Sequence, residues 1–146
     1  MSISIRPAES ADAAAVADLI GELARDGDWE SPVTTAYAAR YLTHPGHGVL
    51  LAEEDGEPLG LISYSIRPNL YHAADSCLIE ELIVRRRDRG RGIGRALVEE
   101  LERLAAARPC AEISVTTLPA NNKAIRFYRR LGLTDEALYL EKHLED

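Results

Sequence analysis

The stretch Arg85-Arg86-Arg87-Asp88-Arg89-Gly90-Arg91-Gly92-Ile93-Gly94 decides how the rest of the chain is read. It follows an apolar run, Cys77 to Val84, that reads as a strand, and it leads into Arg95 to Ala107, which reads as a helix. Glycine has no Cβ, so a loop carrying Gly90, Gly92 and Gly94 lets a ligand come close to the backbone. A helix beginning just beyond leaves several N–H groups unpaired and a partial positive charge at its end. Strand, glycine loop and helix start together predict an anion site suited to phosphate or pyrophosphate.

Working outward, the elements alternate. Ser2 to Arg6 alternates apolar and polar residues and reads as a first strand, ended by Pro7. Ser10 is placed to cap a helix with Val16, Leu19, Ile20 and Leu23 on one face, broken by Asp26-Gly27-Asp28. A second helix is expected over about Val33 to Leu42, stopped by His44-Pro45-Gly46. Val49 to Glu53 and Leu59 to Ile66 read as strands joined at Asp55-Gly56, and Leu70 to Ser76 as a connection after Pro68-Asn69. The helix after the glycines puts Ile93, Ala96, Leu97, Leu101 and Leu104 on one face and ends at Arg108-Pro109. Glu112 to Thr117 reads as a strand, Asn121 caps a helix to about Leu131, Gly132 stops it, and Thr134 to His143 is expected to add one or two strands. Strands alternating with helices over 146 residues, without a repeat or linker, predict a single α/β domain spanning 1–146.

Composition bounds the function. Hydrophobic residues make up 46% of the chain and charged residues 28%, a globular balance, and no apolar run approaches a bilayer span. The N-terminal residues lack the layout of a signal peptide, so a cytoplasmic protein is expected. A net charge of −7 disfavours general nucleic-acid binding, yet six arginines fall between Arg85 and Arg95. A basic loop in an acidic protein suits a small anionic ligand. Cys77 and Cys110 have no ligand spacing and read as reduced, structural residues. His44, His47, His72 and His143 form no zinc pattern, so no metal is expected.

The glycine spacing narrows the loop further. A phosphate-binding P-loop needs a lysine followed by Ser or Thr, and Gly94-Arg95-Ala96 has neither. A dinucleotide fingerprint needs Gly-x-Gly-x-x-Gly, whereas Gly90-x-Gly92-x-Gly94 is spaced differently. A solvated basic turn would use glycine only for tightness. What distinguishes this loop is its company: Glu80-Glu81-Leu82-Ile83-Val84 before it, and Asn121-x-x-Ala124-x-x-x-Tyr128-x-x-x-Gly132-Leu133 about thirty residues after it.

In that combination the chain resembles the GNAT superfamily of N-acetyltransferases. Arg89-x-x-Gly92-x-Gly94 is similar to the family's pyrophosphate loop for acetyl-coenzyme A, and the Asn121–Tyr128 helix to its second conserved segment. The resemblance implies a central, mixed, largely antiparallel sheet with a V-shaped splay between its fourth and fifth strands, flanked by about four helices. It implies pantetheine pairing with backbone near Leu82, Ile83 and Val84, as an added strand would. The pyrophosphate would then lie on N–H groups of Arg89, Gly90, Arg91, Gly92, Ile93, Gly94 and Arg95, with Asn121 on the cofactor side. Arg89 and Arg91 would add charge-assisted bonds, while at least two of Arg85, Arg86 and Arg87 read as a solvated face.

Acetyl transfer sets its own demands. An alkylamine with a pKa near ~10.4 must lose a proton before it attacks, and the departing thiolate benefits from a donor. Tyr128 suits the donor role, since its hydroxyl is protonated at neutral pH. For the base, strand alternation places Glu80 and Glu81 on opposite faces, with Glu80 beside Leu78, Leu82 and Val84. Relatives that place a base at the position of Glu80, often acting through water, favour it over Glu81; deprotonation by ordered water alone is the other route. The acceptor side is expected around Asp26, Asp28, Trp29 and Glu30, with Asn69, Tyr71, His72 and Asp75. The resemblance further implies a homodimer and a small-molecule or peptide amine as partner; the acidic net charge and the lack of a long apolar run argue against nucleic acid and membrane as partners. The competing reading is a non-catalytic acyl-CoA sensor, which would need neither Tyr128 nor Glu80.

Overall fold

The computed structural model describes residues 2–145. Five strands form one sheet in sequential order: β1 (Ser4–Pro7), β2 (His47–Glu54), β3 (Glu57–Asn69), β4 (Ala74–Val84) and β5 (Cys110–Val115). The first four pair antiparallel and β5 joins β4 in parallel. Helices α1 (Ala13–Asp26) and α2 (Thr35–Thr43) cover one face, while α3 (Ile93–Ala107) and α4 (Asn122–Arg130) cover the other. This is the mixed sheet with four helices that the resemblance implies.

Because helices cover both faces, the central strands are apolar on both sides rather than alternating with polar residues. In β2, Val49 and Leu51 pack under α1 and α2, whereas Leu50 and Ala52 pack under α3. From α3, Ile93, Leu97, Leu101 and Ala105 fall at helical spacing into the second core, and from α1, Ala13, Val16 and Leu19 fall into the first. A fully buried leucine such as Leu51 or Leu97 contributes about 1.5–3 kcal/mol.

Two features of β4 build the site. Its pairing with β5 runs only from Asp75↔Cys110 to Ile79↔Val115, although β4 continues to Val84. From Glu80 onward that edge has no neighbouring strand among the described residues, which is the V-shaped splay. The second feature is a bulge against β3. Tyr64 lies opposite Ile79 and Ser63 opposite Glu81, so Glu80 is the extra residue. A bulge resets the alternation of side chains.

Several expectations need correction. Thr134 to His143 forms no strand: it pairs with no other segment, and Leu138 and Leu140 are more than four-fifths exposed. An alternating pattern does not by itself make a strand: the segment stays outside the sheet although the outer edge of β5 is unpaired among the described strands. Ser10 does not cap α1: it opens a 3-10 turn, Ser10–Asp12, whose Asp12 carboxylate accepts from the Glu9 N–H at 2.8 Å, and α1 follows with Asp12 as its N-cap residue and no side-chain cap bond. Strand β3 runs through Pro68 to Asn69, and β4 begins within the expected connection. Proline is tolerated there because β2 ends opposite Ser65, leaving β3 an open edge beyond it. Helix α2 starts two residues later than expected, where the Thr34 hydroxyl accepts from the Tyr37 N–H at 3.0 Å.

Candidate active site

The glycine loop closes onto the start of α3 as the sequence predicts. Gly90 and Gly92 have φ of +83° and +81°, a left-handed backbone that other residues adopt only at a cost. A Cβ built on either would meet nothing within 4 Å, so the space above them is open to a ligand. The first α3 bond runs from the Ala96 N–H to the Gly92 carbonyl at 3.0 Å, leaving the N–H groups of Ile93, Gly94 and Arg95 without intrahelical acceptors. A cavity of about 260 Å3 lies over them, lined by Val84, Asp88, Arg89, Gly90, Gly92, Ile93, Gly94, Arg95 and Phe127. Arg91, expected in the same cradle, lines no part of it.

The loop arginines already hold partners. Arg89 Nε donates to the Val84 carbonyl at 2.9 Å, and its Nη2 pairs with Asp26 at the end of α1. Asp26 also takes Arg86 at 3.0 Å, and these two guanidiniums hold its carboxyl below the usual carboxylate range. Arg91 bonds Glu54 at 2.8 Å and the buried Asp88 at 3.1 Å, while Arg87 pairs with Glu57. Arg86 and Arg87 are well exposed, as a solvated face requires. Arg85 is not: it donates to the Pro58 carbonyl at 2.9 Å and to Asp18 at 3.1 Å, tying β4 to α1. The cradle is therefore made of backbone N–H groups, with its arginines fixed in position by acids.

Helix α4 begins at Asn121, whose side-chain oxygen accepts from the Ala124 N–H at 3.1 Å. That cap orients the helix so that Phe127 lines the loop cavity and Tyr128 points into the core beside Ile79 and Leu97. Tyr128 is only 8% exposed, and burial alone pushes its hydroxyl up to about 12. It holds its proton throughout the neutral range.

The bulge overturns the expected separation of the two glutamates: both reach the face covered by α1 and α2. Glu80 Oε1 accepts from the Ser65 hydroxyl at 3.0 Å, and Glu81 Oε1 accepts from the Ser63 hydroxyl. Glu80 does not share a face with Leu82 and Val84, which pack on the α3 side. The two acids differ in surroundings. Glu80 is exposed, whereas burial, reinforced by the nearby Glu80 charge, raises the Glu81 carboxyl above its ordinary value. Tyr41 of α2 lies near both; its hydroxyl donates to the Tyr64 carbonyl at 3.0 Å, and burial and both glutamate charges raise its pKa.

Glu81 opens onto a pocket of about 440 Å3, walled by Trp29, Val33, Tyr37, Tyr41, Val49 and Ser63 among others. Of the residues expected on the acceptor side, only Trp29 lines it. Asp26 is committed to Arg86 and Arg89, and Asn69, Tyr71, His72 and Asp75 belong to the far end of the β3–β4 hairpin. Sequence reasoning missed Tyr41 and Ser63. Their signal was faint: Ser63 and Ser65 alternate with apolar residues in β3, Ser63 opposite Glu81 and Ser65 opposite Leu78 yet bonded to the bulged Glu80.

The cradle, the splayed β4 edge and the Asn121 helix coincide with a family match. The family model for acetyltransferase (GNAT) covers residues 15–133. The chain belongs to this family. Thialysine N-epsilon-acetyltransferase from Sus scrofa is 25% identical over 155 aligned residues, covering 92% of this chain and 85% of that protein. An aminoglycoside acetyltransferase from an uncultured soil metagenomic sample superposes with a TM-score of 0.82 at 26% identity, covering 99% of this chain and all of the other. Ribosomal-protein-alanine N-acetyltransferase from Brucella melitensis shares the fold at a TM-score of 0.83 and 19% identity, over 98% of this chain and 100% of that one. This acetyltransferase is thus an enzyme of the N-acetyltransferase class, and acetyl-CoA is the co-substrate of its family. No described helix is long and apolar enough to cross a membrane.

Proposed function

We propose that this acetyltransferase moves the acetyl group of acetyl-CoA to a primary amine by direct attack within a ternary complex. The observation that carries the proposal is the position of β4. Its unpaired edge from Glu80 to Val84 leads to the glycine cradle on one side, while Glu81 opens onto the acceptor pocket on the other. Donor and acceptor can therefore meet across one strand without a covalent enzyme intermediate.

The residues fit acetyl-CoA. Leu82, Ile83 and Val84 offer backbone groups to an extended pantetheine, and the N–H groups from Gly90 to Arg95 face a pyrophosphate. When bound, the cofactor supplies an activated thioester acyl group. Glu81, in a largely apolar wall, anchors the incoming ammonium; the arriving cation favours its ionised form. Glu80 keeps the base role, because an exposed carboxylate on the same face can accept a proton through water. Tyr128 supplies a proton at its hydroxyl for the departing thiolate. In the balance, an N–C bond forms and a C–S bond breaks. The ammonium gives up two protons, one matched by the proton that ends on the CoA thiol and one released to solvent.

Membership of an enzyme family favours this reading over a sensor. The exposed C-terminal apolar residues and the outer edge of β5, unpaired among the described strands, support the homodimer, which sedimentation would test. The test of function is free-thiol release from acetyl-CoA with a primary-amine panel. Intersecting double-reciprocal plots are expected; parallel lines would show a covalent acetyl-enzyme instead.

A further inference from the structure

We infer that the acceptor is a small primary amine carried on a single apolar stem, and that the pocket rejects amines with a second positive charge. The inference rests on the reading of the Glu81 pocket as the acceptor site and names its substrate class.

The pocket wall is mostly carbon. Val16, Ile20 and Val33 supply aliphatic surface, and Trp29, Tyr37 and Tyr41 supply rings. Glu81 is the sole carboxylate in the wall; Ser31, Thr34 and Ser63 are neutral. One carboxylate can compensate one ammonium. A second ammonium inside would lose its hydration with no counter-charge, which is costly. Asp28 and Glu30 flank Trp29 in sequence but line no part of the pocket, Asp26 is held by two arginines, and Glu80 lies outside the wall. A positive charge stands near the rim as well: the Arg40 guanidinium carbon lies 5.7 Å from the centre of the Tyr37 ring. Arg40 is not part of the wall, and its positive charge beside Tyr37 disfavours a second substrate cation there. An apolar stem gains from the same wall, by about fourfold in kcat/KM for each methylene taken from water. At about 440 Å3 the space admits a small amine and excludes a large polycation with its hydration shell.

The test compares thiol-release kcat/KM for propylamine, butylamine, hexylamine and phenethylamine with that for spermidine, kanamycin and an alanine-starting peptide, at saturating acetyl-CoA. A rise along the alkyl series is expected, with phenethylamine and hexylamine at least tenfold above spermidine and kanamycin. Trp29→Ala should lower kcat/KM for phenethylamine at least fivefold while calorimetry shows unchanged acetyl-CoA affinity. A flat alkyl series overturns the inference, as does better turnover of spermidine, kanamycin or the peptide. Turnover restricted to polycationic amines refutes the inference and leaves amine acetylation standing. Failure to bind acetyl-CoA refutes the general reading, and this one with it.

Discussion

The two halves of the site are made from different materials. The cofactor cradle is backbone: left-handed glycines, a bare helix N-terminus and an unpaired strand edge. The acceptor pocket is side chain, gathered from α1, the segment before α2, α2 itself, β2, β3 and β4. A backbone site tolerates little change of residue type, because a Cβ or a wrong φ disrupts it. A side-chain site can be retuned one residue at a time while the fold stays put. On the proposed reading, the cofactor requirement is the rigid half and the acceptor preference the tunable one.

The largest effect should come from breaking the backbone half. Gly92→Val places a branched residue at a φ of +81°, where the left-handed backbone costs roughly 1–2 kcal/mol, and fills the open space above the loop. Acetyl-CoA affinity should fall at least ~100-fold by calorimetry, because the ligand also loses its approach to the backbone. Retained helical circular dichroism would show that the fold survives. Normal affinity in that variant would remove the cradle assignment.

Next comes the proposed proton donor. Tyr128→Phe removes the proton at the thiolate and little else, so kcat should drop about 10²–10⁴-fold while acetyl-CoA affinity stays nearly constant. Unchanged turnover would end its role as the acid.

The glutamate pair sharpens the side-chain half. Glu80→Gln should lower kcat with little change in the amine KM, as loss of a base does. Glu81→Gln should instead raise the amine KM by about 10–100-fold, the scale of a lost charged hydrogen bond. The opposite split would exchange their roles.

The smallest effect concerns stability. Glu81 is harder to ionise in the folded protein than in the unfolded chain, with burial as the main cause. Between the unfolded and the raised folded pKa, the native state binds more protons, so stability falls as pH rises through that window. Glu81→Gln removes this penalty and should raise Tm by a few degrees at neutral pH and not below the unfolded carboxylate range. An equal shift at both pH values would point to packing rather than ionisation.

The cradle was legible in the sequence because its physical requirement is a residue type. Only glycine sits easily at the φ of Gly90 and Gly92, and Asn121 reads directly as a cap. The helix faces were legible for a similar reason, since Ile93, Leu97 and Leu101 fall on one side by spacing alone. The glutamates were not. Nothing in Glu80-Glu81 marks a bulge, and strict alternation put them on opposite faces. Thr134 to His143 misled in the other direction, because side-chain alternation alone does not supply the backbone pairing that makes a strand. The acceptor loop misled too. Asp26, Asp28 and Glu30 looked like amine-binding acids, yet Asp26 spends its charge on Arg86 and Arg89.

The sequence by itself determined the glycine loop, its neighbouring strand and helix, and the family whose co-substrate is acetyl-CoA, because these rest on local backbone geometry over short spans. The tertiary structure alone decided which acid faces the pocket beside α1 and α2 and what surrounds it. The Glu81 environment joins residues from Val16 to Glu81, and a register shift of one residue in β4 sets the direction of both carboxylates. Side-chain direction in a sheet has a period of two, so a single inserted residue reverses it.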